Sequence, residues 1–104
     1  PVLALGCGGV LFEAIGDVSF RLLPVTADDV ADLIDELGAK ALLGPFRGAV
    51  ARDVDALIDC AVGLSNAYLA LRDRVSDIEI NPLMIGAAGD GVCAVDIRAI
   101  PRDV

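Results

Sequence analysis

Two short stretches carry side chains of the kind that hold a metal ion beside a phosphate. The first is Ile78-Glu79-Ile80-Asn81-Pro82-Leu83-Met84-Ile85, and the second is Val92-Cys93-Ala94-Val95-Asp96-Ile97-Arg98. Each alternates polar and apolar residues with period two, the pattern of a strand whose two faces differ. Gly86-Ala87-Ala88-Gly89-Asp90-Gly91 lies between them and is rich in turn-forming glycine. The spacing predicts an antiparallel hairpin. Ile78 and Ile80 then take one face of the first strand, and Glu79 and Asn81 the other. In the second strand Cys93, Val95 and Ile97 share a face, with Asp96 and Arg98 on the opposite one. With the apolar faces buried together, Glu79, Asn81, Asp96 and Arg98 meet on one open face. Two carboxylates and an amide oxygen suit a hard cation, and a guanidinium suits the anion next to it.

Ordinary strand architecture accounts for the same four residues, because a half-buried hairpin always shows its polar side outward. The Glu-x-Asn-Pro order is less ordinary. Proline removes a backbone donor and belongs at an edge, a bulge or a strand end. Here it follows Asn81 directly and disfavours helical geometry there. On spacing alone both readings stand.

The elements that must position this hairpin follow in chain order. Pro1 to Leu5 reads as a short strand, and Gly6-Cys7-Gly8-Gly9 lets the backbone turn or approach a ligand closely. Val10 to Ile15 reads as a second strand, Gly16-Asp17 as a tight turn, and Val18 to Leu22 as a returning strand. Pro24-Val25-Thr26 opens a helix, with Thr26 as N-cap and Asp28 and Asp29 in the first turn, where the helix dipole favours anions. Val30, Leu33, Ile34 and Leu37 form its apolar stripe, and Gly38 ends it. Asp32, Asp35 and Glu36 belong to its wet face. Residues 39–48 form a connector with a helical turn near Leu42. Asp53 caps a second, longer helix, whose stripe is Val54, Leu57, Ile58, Ala61, Leu64, Tyr68 and Leu71. That helix is expected to contribute most to the core, with Tyr68 as packing. Arg72-Asp73-Arg74 closes it, and Pro101 ends the last strand. Helices on one face of a mostly antiparallel sheet make an α+β fold in a single domain, residues 1–104.

Composition narrows the partners. With 16 acidic and 8 basic residues the net charge is −8, which argues against nucleic acid as a partner, since that needs a basic stripe. A nucleotide site remains open, since a bound cation supplies positive charge locally. Cys7, Cys60 and Cys93 are odd in number and widely spaced, and the chain has no histidine, so a zinc site is not expected. Reduced, buried thiols in a cytoplasmic protein are the simple reading. No apolar run is expected to reach the length of a membrane span. The opening segment lacks the basic region of a signal peptide, and an apolar strand at residue one points to a piece of a larger chain.

Glu79-Ile80-Asn81-Pro82-Leu83 followed by Ala94-Val95-Asp96-Ile97-Arg98 resembles the end of the ATP-grasp domain of nucleoside-diphosphate-forming acyl-CoA synthetases. That family includes the ADP-forming acetyl-CoA synthetases and the succinyl-CoA synthetase β subunits. Gly8-Gly9-Val10-Leu11-Phe12-Glu13 with Asp17-Val18-Ser19-Phe20-Arg21-Leu22 is similar to the central strands of the same domain, near the phosphates. Leu42-Leu43-Gly44 with Arg47-Gly48 is similar to a further family stretch. The resemblance covers nearly the whole chain.

The resemblance implies the C-terminal subdomain of an ATP-grasp fold, with Mg²⁺ and ATP or ADP as cofactors. It implies Asn81 and Asp96 as ligands of the Mg²⁺ of Mg·ATP, and Glu79 as a catalytic residue near the phosphate-transfer site. It implies Gly8, Gly9 and Arg21 as nucleotide contacts, although a surface role accounts for Arg21 equally well. The implied reaction converts acyl-CoA, ADP and phosphate reversibly to acid, CoA and ATP. In the family a histidine carries the phosphoryl group. That histidine, the rest of the ATP-grasp domain and a CoA-binding domain or subunit are therefore expected outside these residues, and the chain alone is expected to be inactive. A second reading is an acyl-CoA synthetase-like regulatory domain fused to a protein acetyltransferase. The retained Asn81–Asp96 pair favours a working ATP site.

Overall fold

The computed structural model describes residues 1–6, 18–37 and 51–103. The glycine cluster with Gly8 and Gly9, the strand expected over 10–15, the Gly38 stop and the 39–48 connector lie outside the described residues. The described elements are β1 (Val2–Gly6), β2 (Val18–Leu22), α1 (Ala27–Glu36), α2 (Val54–Leu71), β3 (Val75–Ile80), β4 (Leu83–Ile85), β5 (Val92–Ala94) and β6 (Ile97–Pro101). The strands pair antiparallel as β1–β2, β3–β6 and β4–β5, giving the expected α+β class.

Alternation in the first ribbon sets where the helices pack. Val2 faces Leu22, Leu3 faces Arg21 and Leu5 faces Ser19 across β1–β2. Leu3 and Ser19 are buried, and the Ser19 hydroxyl donates to the Leu33 carbonyl at 3.0 Å, fixing α1 against this side. The Thr26 side chain accepts from the Asp29 amide at 3.2 Å. The Asp29 carboxylate answers by accepting from the Thr26 amide at 2.8 Å, a reciprocal cap on two orphan donors.

The core consists of Leu3, Val25, Val30, Leu33, Ile34, Leu57 and Ala61. Val30 and Leu33 are wholly buried. Burial of such side chains contributes about 1.5–3 kcal/mol each. The two helices share this core: α1 supplies Val30, Leu33 and Ile34, and α2 supplies Leu57 and Ala61 with the partly buried Val54, Ile58 and Val62 packed against them. α1 lies against β2 and α2, and α2 lies against α1, β3 and β5. Ser65, absent from the predicted stripe, is also buried and donates to the Ala61 carbonyl one turn back at 2.8 Å.

The expectation of no membrane-length run is corrected as well. α2, over Val54–Leu71, is long and apolar enough to cross a membrane by length and composition alone. Its Leu57 and Ala61 belong to the core cluster, and Asp55 and Asp59 are exposed.

Candidate functional site

The predicted antiparallel hairpin forms. Glu79 faces Arg98 and Ile80 faces Ile97 in β3–β6, and Leu83 faces Ala94 in β4–β5. Two residues separate the ladders on each strand, Asn81-Pro82 on one and Val95-Asp96 on the other. The Asn81 amide donates to the Asp96 carbonyl at 3.0 Å, and the Val95 amide donates to the Pro82 carbonyl at 3.1 Å. Pairing thus continues through the interruption, and the Asn81–Pro82 peptide is cis. What changes is the covered face. Ile78 and Ile80 are half-buried on β3, but Leu83 and Ile85 are half-buried on β4, an odd-numbered step away.

That turnover corrects one expectation. Cys93, Val95 and Ile97 do not form a buried face: Cys93 is exposed, and Val95 and Ile97 are 61% and 63% exposed. The principal neighbour of β6 is β3, while α2 packs on β3 and β5, so nothing in the described fold covers the outer strand.

The polar side behaves as the alternation requires. Glu79, Asn81, Asp96 and Arg98 together line one open cavity of about 220 Å³. Strand rise places the Glu79–Arg98 pair roughly 7 Å along the ribbon from Asn81 and Asp96. The formal charge of the four side chains is −1, from two carboxylates and one guanidinium. No ion pair joins Glu79 to Arg98, although they are direct cross-strand neighbours; among the described residues the ion pair is Arg21–Glu36. Oxygen donors of this type, one amide and two carboxylates, fit a hard divalent cation that keeps part of its water shell.

Arg21 stands elsewhere. Its guanidinium donates to the Glu36 carboxylate at the end of α1 through two hydrogen bonds, one of them at 3.1 Å, and to the Phe20 carbonyl at 2.9 Å. The Glu36 hydrogen bond raises Arg21 further above its ordinary pKa, and the same bond lowers Glu36.

Asp53 does more than the sequence reading gave it. One carboxylate oxygen caps α2 by accepting from the Ala56 amide at 3.0 Å. The other accepts from Gly91 at 2.8 Å and from Gly89 at 3.2 Å, at the tip of the β4–β5 turn. Hydrogen bonds from Ala56, then Gly91, hold its pKa below the ordinary carboxylate value, with Gly89 adding to them against the opposing effect of burial. The Asp53 amide donates to the Gly86 carbonyl at 2.9 Å, so the residues before α2 and the hairpin tip are bound together. Gly89 and Gly91 have φ of +89° and +82°, which only glycine adopts readily. The N-cap was legible from Asp53 at the helix start, but no local signal pairs it with amides more than thirty residues away.

The profile of the ATP-grasp domain family matches residues 1–100. The β subunit of ADP-forming acetate–CoA ligase I from Pyrococcus furiosus is 36% identical over 100 residues, covering 96% of this chain and 42% of that protein. A crystal structure from Pyrococcus horikoshii aligns with a TM-score of 0.91 at 30% identity, over 99% of this chain and 43% of the other. The acetyl-coenzyme A synthetase 1 of Ca. Korarchaeum cryptofilum, in complex with coenzyme A and Mg-AMPPCP, aligns with a TM-score of 0.87 at 31% identity, over 98% of this chain and 46% of the other. The chain therefore spans less than half the length of the relatives it matches. On these grounds the chain belongs to the ATP-grasp domain family, in the group found in ADP-forming acyl-CoA synthetases.

Proposed function

We propose that residues 1–104 are the C-terminal subdomain of the ATP-grasp domain in a working ADP-forming acid–CoA ligase of the acetyl-CoA type. The observation that carries this reading is the convergence of Glu79, Asn81, Asp96 and Arg98 on one cavity. Asn81 and Asp96 would hold Mg²⁺, which when bound neutralises charge on a phosphoryl group in transfer between ATP or ADP and the protein. Glu79 brings a second carboxylate to the same cavity, where it would accept hydrogen bonds beside the reacting group. Gly8 and Gly9 would approach the nucleotide with their backbone. Arg21 would be a lesser contact, because Glu36 already occupies its guanidinium. The remaining nucleotide contacts, the phosphorylated histidine and the CoA site would come from the rest of the ATP-grasp domain and from a CoA-binding domain or subunit, in the cytoplasm. The chain alone would then be inactive.

The test is Asp96→Asn in the intact protein that carries this chain. The change is nearly isosteric, Asp96 is exposed, and the melting temperature should hold. Removing one carboxylate from a Mg²⁺ site with few protein ligands should lower the rate of acyl-CoA formation by roughly two to three decades. Excess Mg²⁺ or Mn²⁺ should recover part of the loss. Full activity of Asp96→Asn at limiting Mg²⁺ would falsify the metal assignment.

A further inference from the structure

Helix α2 packs on β3 and β5, and hydrogen bonds tie it at both ends to the ribbon that carries the cavity. At 18 residues the helix is about 27 Å long. At its C-terminal end the Tyr68 hydroxyl donates to the Ser76 carbonyl in β3 at 3.2 Å. The Arg102 guanidinium, just past β6, donates to the Arg72 carbonyl. At its N-terminal end the Asp53 carboxylate accepts from Gly89 and Gly91 at the tip of the β4–β5 turn. The Asp53 amide donates to the Gly86 carbonyl and the Ala88 amide to the Ala51 carbonyl, both at 2.9 Å.

Asn81 and Asp96 lie between the two tied ends. Each stands next to the last pair of the β3–β6 ladder, Ile80 and Ile97, and two residues from the first pair of the β4–β5 ladder, Leu83 and Ala94. Two backbone hydrogen bonds, Asn81 to Asp96 and Val95 to Pro82, join the strands across this junction. The direction of one ladder relative to the other therefore decides how the two side chains face a shared ion. Leu83, Ile85 and Val92 pack on the core, but apolar contact has no preferred direction. The hydrogen bonds at the turn tip supply it. Asp53 is the side chain in that tie, and it exceeds what a helix needs. An N-cap uses one oxygen, here the one that accepts from Ala56, and serine caps as well as aspartate. The second oxygen, on two glycine amides of the turn, does nothing for α2.

We propose that Asp53 is a positioning residue for the metal pair, holding the β4–β5 ladder at the angle that lets Asn81 and Asp96 share one divalent cation. The proposal rests on the reading of the cavity as a metal–nucleotide site. Asp53 is not among the residues that line the cavity, and it acts through the hairpin that its second oxygen anchors. Partners that orient a metal's ligands are commonly worth about 10-fold to 100-fold in affinity, and a tie acting through a whole hairpin belongs at the lower end.

The experiment compares Asp53→Ser, Asp96→Asn and Ser19→Ala in the intact protein, each below its melting temperature. Serine keeps one oxygen to cap α2 and leaves none for Gly89 and Gly91. Ser19→Ala cuts the 3.0 Å bond that fixes α1 to the first ribbon, so it weakens the fold away from the cavity. Mn²⁺ affinity is read by electron paramagnetic resonance, and amide exchange at Asn81 and Val95 by nuclear magnetic resonance. Asp53→Ser should weaken Mn²⁺ binding by about 10-fold and speed exchange at both amides. The half-saturating Mg²⁺ concentration for ligase activity should rise with it, while the rate at saturating Mg²⁺ stays within about threefold. Ser19→Ala should lower the melting temperature and leave Mn²⁺ affinity and both amides unmoved. Unchanged Mn²⁺ affinity or unchanged exchange in Asp53→Ser overturns the proposal. So does an equal loss in Ser19→Ala, which marks general loosening of the fold. If Asp96→Asn weakens Mn²⁺ binding and Asp53→Ser does not, the metal assignment stands and the positioning role fails. If Asp96→Asn leaves Mn²⁺ affinity unchanged, the metal assignment fails and the positioning role with it.

Discussion

The β1–β2 and β3–β6 ribbons are built alike and used differently. Each is antiparallel, and each carries an arginine near a glutamate. In the first ribbon Leu3 and Ser19 are buried under α1, and Arg21 is held by Glu36. In the second, every residue of β6 is exposed, and Arg98 stands free beside Glu79. The difference lies in what covers the ribbon. A helix roofing β1–β2 brings both apolar contact and a carboxylate from outside the ladder. Nothing in the described fold roofs β6, so its polar side is left unsatisfied by protein. One ribbon holds the fold together, and the other presents chemistry.

Core truncation should break this contrast most strongly. Leu33 is wholly buried between the first ribbon and α2. Leu33→Ala should cost about 3–5 kcal/mol, the range for a leucine deletion that leaves a cavity. Ile97→Ala, at a position 63% exposed, should cost under about 1 kcal/mol. Chemical denaturation of both variants decides this. Equal losses would mean that the second ribbon is as deeply anchored as the first.

Asp53 sharpens the comparison because it ties α2 to the hairpin that continues the second ribbon, capping the helix with one oxygen and the β4–β5 turn with the other. Asp53→Ala removes two acceptor oxygens and the three hydrogen bonds they take, and should lower the melting temperature by roughly 4–8 °C. The effect should depend on pH. The folded-state pKa of Asp53 lies below its ordinary value of 3.8. Its contribution is therefore fully present above pH 3.8 and is lost as pH falls through the folded value. Melting of wild type against Asp53→Asn should show a gap that is constant above about pH 5 and closes below pH 4. A gap that widens on acidification would contradict the hydrogen-bond origin of the shift.

Local signals carried much of this protein. Thr26 and Asp53 announced both helix starts, and the stripe of Val30, Leu33 and Ile34 marked the covered face of α1. Period-two alternation put Glu79, Asn81, Asp96 and Arg98 on one side, and these four line one cavity. What alternation did not carry was the burial of the other side. That depends on whether a third element lies over the strand, and β6 has none, so Val95 and Ile97 are exposed. The turnover of faces at Asn81-Pro82 was equally hidden, because pairing alone does not fix which side a helix covers. The Asp53 bridge to Gly89 and Gly91 and the Arg21–Glu36 pair both join residues that only the fold brings close.

The smallest effect should come from that last pair. Arg21 and Glu36 side chains are 31% and 50% exposed, so water screens their attraction and each loses rotamer freedom in meeting the other. Added salt weakens the interaction further. Arg21→Ala, Glu36→Ala and the double variant should therefore melt almost together, with any coupling between the two changes vanishing at high salt. The same variants weigh Arg21 as a nucleotide contact. If Glu36 satisfies the guanidinium, Arg21→Ala should change Mg·ADP affinity by less than about threefold. Glu36→Gln, which releases Arg21, should then leave affinity unmoved. A clear tightening of Mg·ADP in Glu36→Gln, abolished by adding Arg21→Ala, would show instead that a released Arg21 reaches the nucleotide. In that case only the roof over the first ribbon keeps Arg21 out of the site.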